Sequence, residues 1–386
     1  NQHRHTRCFT LFYDCRPIFI QIKMSLILIT FATFYVLFMV FILSGLFRHN
    51  NLSISSSSDL PSVTVVIAAR NEEEVILNLI HDLINQEYPI EKLEVIIVDD
   101  RSTDSTREIL KEATENYSCI NVITVKEKST EITPKKNALS KGIDKASGQI
   151  ILLTDADCRL GKLWVSSMAY SVMNKNCISI GFSEISLEHG SIFERYQKLD
   201  FFSIIAANAG ACGWNQYWSG TGQNLAFYKS DFISIGQFER VKKRISGDDM
   251  YLVQSISKLK KGYLHIDPNS FVKTYAMKSI KDYINQRIRW SSNSKSNYHD
   301  SPSFFAFLFV MLCYNSIILI SFIFSKPWFL LFIIKFILEG LVLYLGNKLF
   351  NKKMDLAVYF VWAILQPIYI PFIGIMGMRG KFSWKP

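Results

Sequence analysis

Four short apolar runs, each separated from the next by a segment of helical character or helix-compatible length, constrain this chain more than any other feature. The runs are Val63–Ala69 (VTVVIAA), Leu93–Val98 (LEVIIV), Ile120–Val125 (INVITV) and Ile150–Thr154 (IILLT). Runs this short and this rich in β-branched residues read as strands buried on both faces. Between them, Val75, Ile76, Leu79, Ile80 and Leu83 fall at helical spacing over 75–86, and Tyr88-Pro89 ends that helix. Thr103 or Ser105 can cap a second helix running to about Asn116, and Pro134 opens a third that ends near Gly148. The order β-α-β-α-β-α-β implies an α/β domain with a mostly parallel sheet and helices on both faces. Ligands of such sheets sit beyond the carboxyl ends of the strands.

Three of the strands run into acid-rich loops at that edge: Arg70-Asn71-Glu72-Glu73-Glu74, Asp99-Asp100 and Asp155-Ala156-Asp157. If the fourth strand continues through its acids, Asp155 and Asp157 point to the same side, because side chains at i and i+2 share a face. Hard divalent cations take one or two such carboxylates together with substrate phosphates. A lone acidic pair at a strand end is more often a turn cap. The convergence of three acidic loops on one edge is what favours a ligand site.

Beyond Cys158 the pattern loosens. Trp164–Met173 and Ile192–Ala209 read as helices, and Ile178–Phe182 and Gly262–Ile266 as strands. Trp214–Phe227 is a Gly- and aromatic-rich loop entering a strand, and its glycines permit close backbone approach. Ser246-Gly247-Asp248-Asp249 precedes a helix over Met250–Leu259, and Ser279–Tyr298 is a helix bearing Gln286-Arg287-Ile288-Arg289-Trp290. The net charge of +10 fits an anionic membrane surface or an anionic substrate. No nucleic-acid-binding signature is present. The seven cysteines form no CxxC pair and no zinc spacing, which suits a reducing compartment.

The 49% of hydrophobic residues are unevenly spread: 51–300 is charged, whereas 25–47 and 303–377 are strongly apolar. Ser25–Phe47 carries no charge and exceeds the ~20 residues a spanning helix needs. Residues 1–23 lack a period and precede Met24, so they read as a non-native leader, and 48–62, with its serine run, reads as a linker. Two or three membrane helices are expected in 303–377. Lys335 and Glu339 can pair on one helix face, and Pro367 and Pro371 interrupt the last segment. Lys348, Lys352 and Lys353 place their loop, and with it the 63–300 domain, on the cytoplasmic side. Arg379, Lys381 and Lys385 would then sit outside, a conflict that favours a re-entrant or interfacial final segment.

The acids and the aromatic motif occur in a fixed order: Asp99-Asp100, Asp155-Ala156-Asp157, Gly247-Asp248-Asp249 and Gln286-Arg287-Ile288-Arg289-Trp290. This set resembles the family 2 inverting glycosyltransferases, within them the membrane-embedded branch with D, DxD, (E/D)D and QxxRW motifs. Ceramide glucosyltransferases and polysaccharide synthases belong to that branch. The resemblance covers roughly residues 60–300. It implies a GT-A fold (a Rossmann-like nucleotide-diphospho-sugar transferase domain) with flanking transmembrane helices. It also implies a nucleotide-sugar donor, UDP-sugar foremost, a lipid or glycan acceptor, and Mg²⁺ or Mn²⁺. The setting it implies is an integral protein of a bacterial cell membrane with a cytoplasmic catalytic domain.

Carried over position by position, Ala68, Arg70 and Glu72 match the loop that holds the nucleotide, and Asp99, with Asp100 beside it, matches the acid on the nucleoside side. Lys135 matches a lysine near the donor phosphates, and Asp155 and Asp157 match the sugar- and metal-binding acids. Asp249 matches the catalytic base, with Asp248 where many relatives have Glu. Gln286, Arg289 and Trp290 match the motif that closes over the diphosphate and floors the acceptor site. Trp218, Gly222 and Gln223 are candidates for the acceptor side, although Trp214 and Trp218 read equally well as core. Lys135-Lys136 could be a solvated face. The acceptor remains open between a single lipid and a growing polysaccharide, and an inactive GT-A-like scaffold is the alternative from another class.

Overall fold

The computed structural model describes residues 26–50, 52, 60–324 and 328–380. The expected leader at 1–23, the serine run of the linker, and Lys381 and Lys385 lie outside the described residues. After α1 (Leu26–Leu46) the chain forms β1 (Val63–Ala69), α2 (Ile76–Ile84), β2 (Leu93–Asp100), α3 (Thr106–Asn116), β3 (Ile120–Val125), α4 (Pro134–Lys145) and β4 (Ile150–Leu153). There follow β5 (Arg159–Leu160), α5 (Trp164–Lys175), β6 (Ile178–Gly181), β7 (Ser183–Ser186), α6 (Ile192–Cys212), β8 (Leu225–Tyr228) and α7 (Lys229–Ser234). The domain ends with α8 (Asp248–Leu259), β9 (Gly262–His265), β10 (Val272–Tyr275), α9 (Ile280–Ser291) and α10 (Asn297–Asp300), and α11 (Pro302–Phe324), α12 (Trp328–Leu349) and α13 (Leu356–Arg379) complete the chain.

The main sheet runs β3-β2-β1-β4-β8-β6-β9, and β5-β10-β7 form a second, small sheet. The first four strands are parallel, as the alternation predicts, with Val63 opposite both Leu93 and Ile150. Strand β8 runs antiparallel to β4 and β6, so the whole is a mixed GT-A sheet. On one face Val65, Ile67 and Leu152 pack with Leu79 of α2, Leu110 of α3 and Trp164 of α5. On the other, Val66, Ile151 and Leu153 pack with Leu139 and Ile143 of α4. Helices cover both faces, which is why the strand sequences are continuous rather than alternating.

Local chemistry departs from expectation in three places. Strand β4 ends at Leu153, so Asp155-Ala156-Asp157 forms a turn, closed by the Cys158 N–H donating to the Asp155 carbonyl at 3.2 Å. Strand alternation therefore does not orient the two acids. Helix α3 is capped by neither Thr103 nor Ser105; the Thr106 N–H donates to Asp104 Oδ1 at 3.1 Å. The acids Asp248 and Asp249 lie inside the first turn of α8 rather than before it.

Four helices, α1, α11, α12 and α13, are each long and apolar enough to cross a membrane. Helix α1 crosses α6 at a close approach of small residues: a Cβ on Gly210 would stand 2.5 Å from the Ile42 carbonyl oxygen, and one on Gly45 would collide with the Gly210 carbonyl. Lys335 and Glu339 pair at 2.5 Å as expected, and the Tyr35 hydroxyl of α1 donates to the other Glu339 oxygen at 3.1 Å, joining α1 to α12. Trp218 is buried, stacked on Phe304 and Phe307 of α11 with its indole N–H on Ser303, and Trp214 packs on Phe41 and Arg48. Both tryptophans are thus seams between the domain and the apolar helices, and the acceptor role considered for Trp218 is corrected to a packing one.

Helix α13 stays a single helix through Pro367 and Pro371. It lies along the domain at both ends. Arg195 of α6 pairs with Asp355 at 2.7 Å, Trp362 donates to Asp200, the Tyr283 and Tyr369 hydroxyls meet at 3.1 Å, and Gly377 abuts Ser291 of α9. Replacing Gly210 by Ala should force the α1–α6 crossing apart at a cost of about 1–3 kcal/mol. Thermal unfolding of the detergent-solubilised protein checks this, and an unchanged midpoint would show that the crossing is not tight.

Candidate active site

The carboxyl ends of β1 and β2 are locked to each other. The Asn71 N–H donates to Ser102 Oγ at 3.1 Å, the Thr103 N–H to Asn71 Oδ1 at 2.8 Å, and the Glu72 N–H to Thr106 Oγ1 at 2.8 Å. Asn71 and Arg101 both hold positive φ, at 54° and 61°. Such a conformation is tolerable for Asn but strained for Arg, and strain of this kind persists only where surroundings enforce it. Arg101 is enforced by a two-pronged pairing with Asp100, both contacts 2.9 Å. Ala68 and Arg70 stand half-buried on the same edge. Asp99 is fully buried, its oxygens taken by the Ser102 N–H and by Arg107 Nε at 3.1 Å. Asp99 thus shapes the loop, and Asp100 with Arg101 stands beside it.

A charge centre gathers at the neighbouring strand ends. Lys135, in the first turn of α4, donates to Asp155 Oδ1 at 2.7 Å and stands 3.8 Å from Asp248 Oδ2. Asp249 accepts from the Met250 N–H at 2.7 Å and from the Gly222 N–H at 3.2 Å. Gly222 is so close that a Cβ there would lie 3.4 Å from Lys135 Nζ and 3.7 Å from Asp248 Oδ2. Its loop is pinned by buried Asn224, whose amide donates to the Phe182 and Ser270 carbonyls and accepts from the Trp164 indole. Next to it, Gln223 Oε1 is buried without a hydrogen-bond partner among the described residues. The turn into α8 needs Gly247, with φ of 81° and Asn293 only 3.1 Å from where a Cβ would stand.

The two acids of α8 titrate apart. Burial opposes ionisation of Asp248, but Lys135 and Lys136 outweigh it and hold its carboxyl below the usual range. Burial and the charge of Asp248 push Asp249 up to about 6, against the pull of Lys135. Arg289 faces Asp248, Asp249 and Asp155, and burial draws its guanidinium below its ordinary value. Lys136 is fully buried, donating to the Arg244 carbonyl at 2.5 Å. The lysine pair is therefore no solvated face: one member joins the carboxylates and the other holds the loop that leads to them.

Asp157 points elsewhere. With Gln286, Trp290, Tyr275 and Phe201 it lines a cavity of about 30 Å³ beside the charge centre. The 280–291 helix that presents Gln286, Arg289 and Trp290 is fixed by a residue with no motif to announce it. Asp200 of α6 is buried and accepts from Arg287 Nε at 2.7 Å, Tyr283 OH at 2.8 Å and Trp362 Nε1 at 3.1 Å. Arg287 lies 4.3 Å over the Trp290 ring. An isolated Asp in an aromatic helix was the only signal available in the sequence.

Among the described residues no three of His, Cys, Asp and Glu cluster as a metal cage. Asp155 and Asp157 are hard oxygen donors of the kind a divalent cation takes together with diphosphate oxygens, but here Asp155 is held by Lys135 and Asp157 lines the neighbouring cavity.

The fold is GT-A. The sequence model described as Glycosyl transferase family 2 matches residues 64–238, and that segment belongs to the family. It is 26% identical over 270 residues to Probable glycosyltransferase YdaM of Bacillus subtilis (strain 168), covering 67% of this chain and 63% of that protein. It is 40% identical over 114 residues to Beta-monoglucosyldiacylglycerol synthase of Nostoc sp. (strain PCC 7120), covering 29% of this chain and 23% of that protein. The chain thus spans less than two thirds of either relative. Among solved structures, the mannosyltransferase PcManGT from Pyrobaculum calidifontis, in complex with GDP-Man and Mn²⁺, superposes with a TM-score of 0.64 at 17% identity, covering 92% of this chain and 99% of that one. That likeness is one of fold.

Asp200→Ala should strand the buried Arg287 charge and cost about 3–5 kcal/mol. Asp200→Ala combined with Arg287→Met should recover much of the loss. Thermal melts of the two variants decide, and a mild single-variant effect would show that Asp200 does not organise this region.

Proposed function

We propose that this glycosyltransferase is membrane-bound and moves a sugar, with inversion, from a nucleotide-sugar donor of the UDP-sugar type to a hydroxyl of a membrane lipid. The observation that carries the reading is Asp249, a carboxyl near 6 set among Lys135, Asp155 and Asp248 under Arg289. A group of that basicity is mostly ionised at neutral pH yet still takes a proton readily. Asp249 accepts the proton of the acceptor hydroxyl as the oxygen bonds to the anomeric carbon and the bond from that carbon to the diphosphate breaks. Arg289 and Lys135 offset the charge that collects on the departing diphosphate. Gln223 Oε1, buried and unsatisfied among the described residues, offers a hydrogen-bond acceptor to a substrate hydroxyl other than the attacking one. Ala68, Arg70, Glu72 and Asp100 border the nucleoside end, and Gln286 and Trp290 the sugar end. Asp155 and Asp157 would hold Mg²⁺ or Mn²⁺, which when bound supplies Lewis-acid stabilisation of the diphosphate.

Helices α1, α11 and α12 each meet the domain at one end, whereas α13 follows α6 and α9 along its length. Three crossings with an interfacial α13 keep Lys348, Lys352 and Arg379 on the side of the catalytic domain, which the positive-inside rule makes cytoplasmic. The diacylglycerol named in the Nostoc synthase supports a lipid acceptor.

Transfer efficiency should rise with pH through about 6 and level off above, because only ionised Asp249 is a base. Lys135 lowers that pKa, so in Lys135→Ala the rising limb should move to higher pH and the plateau rate should fall. A pH profile that ignores both changes would remove Asp249 as the base. Asp249→Asn should lower turnover by at least about 100-fold, on the scale of general-base loss, while donor binding persists. Asp157→Ala should weaken donor binding in the presence of Mn²⁺ more than in its absence, read by calorimetric titration of the nucleoside diphosphate.

A further inference from the structure

The small sheet forms a wall of an open groove of about 640 Å³ that lies apart from the carboxylate centre. Its opposite wall is Phe350, Asn351 and Lys352, the loop that joins α12 to α13. The loop therefore meets the domain where an apolar helix ends. On the sheet, Lys273 of β10 lies directly opposite Arg159 of β5 on one side and Glu184 of β7 on the other. Like charges opposite each other on adjacent strands are destabilising. Arg159 is drawn aside by Asp82, with contacts of 2.7 and 3.0 Å. Glu184 is already shared by Lys198 at 3.2 Å and Lys352 at 2.7 Å, whose charges outweigh its burial and hold its carboxyl low. Lys273 is left exposed, with no hydrogen bond or ion pair among the described residues.

Both acids of the groove are thus engaged, and the cationic surplus centres on Lys273. We infer that this groove binds the phosphate of an anionic membrane lipid headgroup, at a site separate from the donor cleft. An anion there would relieve the Arg159–Lys273 juxtaposition, in which Asp82 pairs with Arg159 but Lys273 has no ion pair among the described residues. The chemistry is that of a phosphate, and the source is set by position. The wall facing the sheet is the end of a membrane-length helix, and Leu187 and Leu356, close in sequence to the lining residues Ser186 and Lys352, are exposed. Tyr275 and Thr274 line both this groove and the small cavity that holds Asp157, Gln286 and Trp290. A lipid headgroup seated here lies one strand's thickness from the motif that faces the sugar.

The inference rests on the membrane reading, which alkaline carbonate extraction of membranes tests by itself: a chain released by carbonate would remove that reading rather than the anion site. The site is tested on the full chain in mild detergent by native mass spectrometry with added phosphatidylglycerol, phosphatidylcholine or inorganic phosphate. One phosphatidylglycerol should be retained in preference to phosphatidylcholine. Lys273→Ala should weaken it about fivefold and Lys273→Glu further, as expected for one basic residue near an anionic surface. Lys111→Ala, on exposed α3, should leave it unchanged. Equal retention of the two lipids, or unchanged retention in both Lys273 variants, overturns the proposal. Displacement of the lipid by millimolar inorganic phosphate overturns the lipid source in favour of a soluble anion.

Discussion

Three carboxylates cannot be brought together at the edge of a sheet unless a positive charge comes with them, and Lys135 is that charge. Without it, Asp155, Asp248 and Asp249 would repel one another across a poorly solvated cleft. Its place is set by the first turn of α4, where Pro134 opens the helix and Lys136, one residue on, is buried on the Arg244 carbonyl. The lysine does not neutralise the centre evenly. It holds Asp248 ionised and leaves Asp249, farther into the helix and against the Gly222 amide, near neutrality in its proton affinity. Two adjacent acids of the same kind thereby acquire different properties from position alone.

Much of the domain was legible because its physics is local. Buried parallel strands must be continuously apolar, and alternating them with helices leaves few topologies. The order of the acidic motifs then placed the cleft. What the sequence concealed was orientation. Asp155 and Asp157 were expected to share a face because the strand was extended four residues past Leu153; the turn sends one to Lys135 and the other toward Trp290. Asp99 and Asp100 are indistinguishable on paper, yet one is sealed in its loop and the other pairs with a strained Arg101. Asp200 carried no motif, since its importance comes from partners on α9 and α13, more than 80 residues away. Trp218 had two readings, and only tertiary packing against α11 separates them.

The apolar helices are not appended to the domain but interleaved with it. Asp200 ties α6 to the helix that carries Trp290 and to α13, and Glu339 ties α12 to α1 through Tyr35. Each of these carboxylates is buried and partnered, so loosening one helix leaves an unpaired charge in another. The consequence is cooperative rather than modular stability. Helices α9 and α13 share one carboxylate, that of Asp200.

The glycine crossing of α1 and α6 bears on how such a chain can evolve. A hydrophobic segment that merely held an enzyme at a bilayer could be exchanged for any other of equal length. Here the carbonyl of Gly210 is in contact with Gly45, and Trp214 leans on Phe41 and Arg48. The first helix is therefore a fitted part of the enzyme's architecture. Recombination that replaced it would have to bring along its complement on α6, so the two segments, some 160 residues apart, are bound to be inherited together.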